Sequence, residues 1–160
     1  MAEVYSNLYN MKITGLRFFT VFGIYGRPDM AMYKFVNSIL NKKQVYLYNS
    51  GKNVRDFTYV NDLVRMIKII TESEKYKKFE HEIFNLGSSR PHKISKIIDM
   101  LSKISNRKIK IKKIEPQIGD VKKTGASTKK FKTIYGNFHI TNLSEALEEY
   151  FLWHKEYYNG

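Results

Sequence analysis

The stretch GLRFFTVFGIYGRPDM, residues 15–30, runs an apolar strand straight into a glycine-punctuated loop that carries Thr20, Arg27 and Asp29. Polar groups at the carboxyl end of a strand are placed where α/β folds bind ligands. A guanidinium there matches a carboxylate in two parallel hydrogen bonds, each contributing about 1.5–3 kcal/mol because the partners are charged. The same residues also make an ordinary surface turn in which Arg27 pairs with Asp29. From residue types alone the turn is slightly favoured.

Other chemistries are excluded more firmly. With no cysteine, the chain has no disulfide, no zinc thiolate and no cysteine nucleophile. His81, His92, His139 and His154 are scattered, and none pairs at i, i+4 around a glutamate, so no metal site is expected. None of the nine glycines forms the turn that seats a dinucleotide pyrophosphate on a helix terminus. Gly23 and Gly26 are followed by Arg27 and Pro28, not by a helix of small residues. Tyr5 and Tyr9 lack a lysine four positions on, where Tyr9 and Ile13 stand.

The formal net charge of +13 calls for an anionic partner or for a solvated face. Much of it falls on the solvent side of amphipathic elements. Lys108, Lys110 and Lys112 alternate with Ile109 and Ile111, while Lys93, Lys96 and Lys103 oppose Ile94, Ile97, Ile98 and Leu101. No run approaches the roughly 20 apolar residues of a membrane span, and the start MAEVYSNLYN lacks the pattern of a signal peptide. A cytoplasmic protein with no membrane partner is the expectation.

Those residues need elements to position them. The spacing predicts a helix end at 1–9, a buried strand over Lys12–Phe19, a helix over Met30–Leu40 and a short strand over Val45–Tyr48. A second helix buries Val60, Leu63, Val64, Ile67 and Ile70, with Asp62 in its first turn beside the positive end of the helix dipole. A strand over Glu82–Leu86, the Ile94 helix and a basic strand near 108–114 follow, then a loop holding Pro116, Gly119 and Gly125. Asn142 caps a last helix, with Glu145 reaching back, that buries Leu143, Ala146, Leu147, Tyr150 and Phe151. Alternating strands and helices in 160 residues make one α/β unit, with no linker or repeat to divide it.

Four ordered segments then carry a resemblance. GLRFFTVFGIYGRPDM resembles the segment after the catalytic Tyr-x-x-x-Lys helix in extended short-chain dehydrogenase/reductases, the NAD-dependent nucleotide-sugar epimerases and dehydratases, and above all the UDP-glucuronate 4-epimerases. YNSGKNVRDFTYVNDL (48–63), IFNLGSS (83–89) and EPQIGDVKKTGAST (115–128) resemble later segments of that family, in order. The resemblance implies the carboxy-terminal part of a Rossmann-type fold. Residues 1–29 would end the Rossmann portion with a leftover strand of its parallel sheet, and 30–160 would form a small α/β substrate-binding domain.

The implied ligand is a UDP-sugar, UDP-glucuronate or UDP-galacturonate, and the implied cofactor is NAD. Thr20 and Arg27 would face the sugar, Arg27 meeting the uronic acid carboxylate. Phe22 would lie beside the nicotinamide, Val45 and Tyr46 near the uracil, and Arg55, Lys122 and Lys123 near the diphosphate. The family's NAD takes the C4 hydride and returns it to the other face of the 4-keto sugar. The dinucleotide turn and the tyrosine–lysine pair would lie upstream of Met1, so this chain by itself is expected to be inactive, and the longer protein to be a homodimer.

Two departures stand out. Ile24 replaces the usual proline, which loosens the Arg27 loop, and Lys122 and Lys123 stand where relatives use an arginine's planar fork. Three alternatives stay open: a silent sugar-nucleotide-binding remnant, a dehydratase, decarboxylase or reductase of the same family, and a basic nucleic-acid-binding module resting on the aromatics of 150–158. Glu145, Glu148 and Glu149 argue against the last, so no nucleic acid partner is expected.

Overall fold

Helices and strands alternate along the chain as the apolar spacing predicts, and the computed structural model describes residues 1–75, 80–116 and 118–159. Gln117, inside the fourth segment of the resemblance, lies outside the described residues. The elements are α1 (Ala2–Tyr9), β1 (Ile13–Phe18), β2 (Thr20–Phe22), α2 (Ala31–Leu40), β3 (Val45–Tyr48), β4 (Val54–Arg55), β5 (Phe57–Tyr59) and α3 (Val60–Glu72). They continue with β6 (His81–Leu86), β7 (His92–Lys93), α4 (Ile94–Ser105), β8 (Ile111–Ile114), α5 (Lys129–Tyr135) and α6 (Leu143–Asn159).

Parallel pairing dominates. β1 runs beside β6 from Ile13↔His81 to Phe18↔Leu86, so the leftover parallel sheet is a pair of strands, one more than the sequence predicts. β2 pairs with β5 and β3 with β8, both in parallel, while β4 and β7 form a short antiparallel pair. These pairs join segments far apart in sequence and bring the first three motif segments together, while a bridge between Val54 and Lys123 adds the fourth.

Two apolar clusters hold the elements. The larger gathers α2 (Met32, Phe35, Val36, Ile39), β3, α4 (Ile97, Ile98, Leu101) and α6 (Ala146, Leu147, Tyr150, Phe151). Residues spaced by three and four put one stripe of each helix inward, and a fully buried Leu or Ile side chain contributes about 1.5–3 kcal/mol. Asn142 does cap α6: its Oδ1 accepts from Ser144 N at 2.9 Å. The smaller cluster packs Leu63, Met66 and Ile70 of α3 on Phe84 and Leu86 of β6 and on Phe131 of α5.

Two helices differ from the sequence reading. On α3 the inward stripe is Leu63, Met66 and Ile70, and Val64 is exposed, because the face spaced by three and four is the one that meets β6. Asp62 is buried and also works at longer range: its carboxylate accepts from Thr141 N at 3.1 Å and Thr141 Oγ1 at 2.7 Å, and pairs with Arg65. α5 was not foreseen. Phe131, Ile134 and Tyr135 at i, i+3 and i+4 carry its apolar face, in a segment crowded with lysines.

α1 is joined by polar contacts. Its one buried residue, Ser6, has Oγ 2.7 Å from the carbonyl oxygens of both Met11 and Glu80, while Val4, Tyr5, Leu8 and Tyr9 stay exposed. Among the described residues no helix is long and apolar enough to cross a membrane.

Candidate functional site

A cavity of about 730 Å³ opens between α2, the β3–β8 ribbon and the β4–β5 segment. Its size falls within the roughly 300–1,000 Å³ of small-molecule sites. Alternation along β3 builds one wall. Val45 and Leu47 are buried, whereas Tyr46 and Tyr48 point out, opposite Lys112 and Ile114 of β8 in the parallel register. Lys112 Nζ sits 5.9 Å from the centre of the Tyr46 ring, within the range of a cation–π contact.

The polar wall comes from β4 and the late loop. Arg55 Nη1 donates to Val54 O at 2.9 Å, and its Nη2 donates to Asp120 Oδ1 at 2.5 Å. Asp120 Oδ2 also accepts from Asn53 Nδ2 at 2.6 Å, and Asn53 Oδ1 accepts from Asn49 Nδ2 at 2.7 Å. The guanidinium is therefore held by two partners, its side chain 17% exposed, with Asp120 pinning the late loop across β4. Lys34, Arg55 and Lys112 supply positive charge to the cavity, and Asp29 and Asp120 negative charge.

Four residues singled out by sequence line this one cavity: Thr20, Val45, Tyr46 and Arg55. Thr20 opens β2, its N–H donating to Asp56 O at 3.2 Å. Four others do not line it. Arg27 takes the surface-turn pairing, with Nε to Asp29 Oδ1 at 3.0 Å and Nη2 to Oδ2 at 2.5 Å. This bond holds the Asp29 carboxyl below its ordinary value and raises the Arg27 guanidinium.

Phe22 is only 4% exposed, wrapped by Phe57, Tyr59 and Tyr150. The ring packs into the core at the strand end and lines a separate cavity of about 230 Å³ with Phe57, Tyr59 and His92. Lys122 and Lys123 act through their backbone. Val54 N donates to Lys122 O at 2.9 Å, Thr124 N donates to Val54 O at 3.0 Å, and Lys123 bridges Val54 in parallel, so both side chains project to solvent.

Sequence reasoning missed Asp56, next to Arg55 and turned the opposite way into full burial. Its Oδ1 accepts from Ser88 Oγ at 2.5 Å and Ser88 N at 3.1 Å, and its Oδ2 from Ser89 N at 3.0 Å and Ala126 N at 2.8 Å. A buried carboxylate is tolerated because charged hydrogen bonds replace its hydration. Gly87 allows the close approach this requires: a Cβ there would meet Ala126 Cβ at 2.5 Å. Asp120, Asn53, Lys34 and Lys112 were also missed, and only the position of Asp120 between Gly119 and the two lysines hinted at a binding loop.

Residues 1–87 match the NAD dependent epimerase/dehydratase family. The chain belongs to that family. An uncharacterized protein of Methanocaldococcus jannaschii is 43% identical over 160 residues, a match covering 98% of this chain and 47% of that protein. UDP-glucuronate 4-epimerase 1 of Arabidopsis thaliana is 35% identical over 172 residues, covering 99% of this chain and 40% of the enzyme. The crystal structure of UDP-glucuronic acid 4-epimerase from Bacillus cereus, in complex with UDP-glucuronic acid and NAD, superposes with a TM-score of 0.91 at 31% identity. That superposition covers 98% of this chain and 49% of the neighbour. The chain spans about half the length of the relatives it matches.

Within this family membership the aromatic residues of 150–158 have a structural use. Trp153 stacks on Tyr157 at 5.0 Å, and Tyr25 and Tyr33 meet Trp153 and His154 edge-on. The rings pack on one another rather than forming an open platform for bases. His154 is fully buried at the centre, neither ring nitrogen has a hydrogen-bond partner among the described residues, and burial lowers its pKa.

Proposed function

We propose that this chain is the substrate-binding part of an NAD-dependent UDP-sugar 4-epimerase, and that its ligand is UDP-glucuronate or UDP-galacturonate. One observation carries the reading: Thr20, Val45, Tyr46 and Arg55, from three separate stretches of the chain of which two are motif segments, line a single cavity that also holds Lys34 and Lys112. Three cations against two carboxylates suit a nucleoside diphosphate, and the Tyr46 ring suits a base. UDP-glucuronic acid is bound by the Bacillus cereus relative, which extends the reading to the sugar.

In this reading the chain binds and orients. Val45 and Tyr46 take the uracil end, Arg55 the diphosphate, and Thr20 and Arg27 the uronic acid. Lys112 takes over the phosphate role that sequence gave to Lys122 and Lys123. Residues 1–29 close a Rossmann portion and 30–160 form the substrate-binding domain, in a protein that works as a homodimer. Among the residues present no glycine turn seats a dinucleotide, so no hydride step is assigned to any side chain here.

The test is direct. The purified 160-residue chain binds UDP-glucuronate in calorimetry, Arg55→Gln weakens that binding roughly tenfold or more through loss of a charged hydrogen bond, and neither protein turns the sugar over with NAD. Turnover by this chain, or equal binding by the Arg55 variant, contradicts the reading.

A further inference from the structure

Arg27 and Asp29 are held on one tight turn. Met30 N donates to Arg27 O at 3.1 Å, and Pro28 at the second position of the turn fixes its own φ. The pair uses Nε and Nη2 of Arg27, one edge of the guanidinium, in the two-bond geometry that any carboxylate adopts. Asp29 lines the cavity and Arg27 does not. Lys34, one turn into α2, lines the same cavity, and its charge already acts on Asp29. Among the described residues Lys34 makes no salt bridge.

From this arrangement we infer that Asp29 is a positioning residue that occupies the Arg27 fork until the sugar's own carboxylate displaces it, whereupon Asp29 turns to Lys34. The inference rests on the reading of Arg27 as the uronate contact and adds an exchange step to it. The exchange is isoelectric: one carboxylate leaves the fork, another enters, and the displaced one gains an ammonium partner. Both side chains are largely exposed, 76% for Arg27 and 58% for Asp29, so water screens the pair and releasing it costs little. A neutral hexose brings no carboxylate and leaves the pair closed. Selectivity for a uronic acid then comes from direct attraction to Arg27, reduced by the small cost of displacing Asp29.

The experiment compares UDP, UDP-glucose and UDP-glucuronate binding to the wild-type chain, Asp29→Asn, Arg27→Gln and Lys34→Gln, and follows the Arg27 Nε–H resonance. Asp29→Asn should move that resonance in the free chain and tighten UDP-glucuronate by up to about fivefold more than it tightens UDP, the equilibrium worth of an exposed pair. UDP-glucuronate should shift the resonance in the wild type and UDP-glucose should not. Lys34→Gln should lower the preference for the uronate over UDP-glucose. If Arg27→Gln leaves that preference intact, the uronate reading fails and the exchange with it. If Arg27→Gln abolishes the preference while Asp29→Asn weakens the uronate or leaves it unchanged, the exchange alone is overturned. Absence of binding by every variant overturns both.

Discussion

The α2–α4–α6 side and the α1–β1 side of this molecule treat apolar surface in opposite ways. On the first, Val36, Ile97, Leu101 and Leu147 are closed off from water in the cluster that also holds Phe35, Val45 and Leu47, which line the cavity. On the second, Leu8 is 71% exposed and Phe18 50%, and the Ser6 hydroxyl ties α1 to Met11 and Glu80, the residues that lead into β1 and β6. Residues of the same kind thus contribute to stability on one side and form an exposed patch on the other. The cavity belongs to the closed side, so its wall does not depend on how the open side is covered.

Asp56 offers the strongest way to break the comparison, because it fastens β2 and β5 to the turn at Ser88–Ser89 and to Ala126. Asp56→Ala strands several buried N–H groups and should cost about 3–5 kcal/mol in urea unfolding. Next comes a matched pair. Leu147→Ala on the closed side should cost about 2–5 kcal/mol, whereas Leu8→Ala on the open side should stay within about 0.5 kcal/mol. Equal costs for the two would erase the distinction.

The smallest effect concerns His154. Burial lowers its folded pKa below its unfolded value near 6.5, so the unfolded chain takes up a proton that the folded chain refuses. The folded state is therefore undisturbed above that pH and loses stability as pH falls through it. His154→Phe removes two unpartnered nitrogens from the aromatic cluster. It should leave stability at pH 7.5 unchanged or raise it by about 1 kcal/mol and flatten the slope between pH 7 and 5. His92, lowered by burial and by Lys96, contributes a slope of the same sign.

Most of the regular elements were legible in the sequence because they are written locally. The stripes of α2, α4 and α6 and the alternation of β3 follow from three-to-four and two-residue periods. What escaped is set by distant partners. Met66 displaced Val64 in the α3 stripe because β6 lies where Met66 points, and α5 was hidden by lysines flanking Phe131. Within the site, Arg55 was readable from its motif, but its hold on Asp120 spans 65 positions. Lys122 and Lys123 lie outside the cavity lining because their backbone runs along β4, which side-chain chemistry does not announce. The contacts of Phe22 with Phe57 and Tyr150 likewise come from distant segments, β5 and α6.

The central claim is that one cavity gathers the nucleotide-binding residues, and a shift map tests it most directly. Backbone amide resonances of the ¹⁵N-labelled chain would be followed during titration with UDP. The account predicts the largest shifts at Val45–Tyr48, Asn53–Arg55 and Lys112, with Asp120 following as its grip on Arg55 readjusts. Shifts centred instead on residues 150–158, or spread evenly over the lysines, would contradict it.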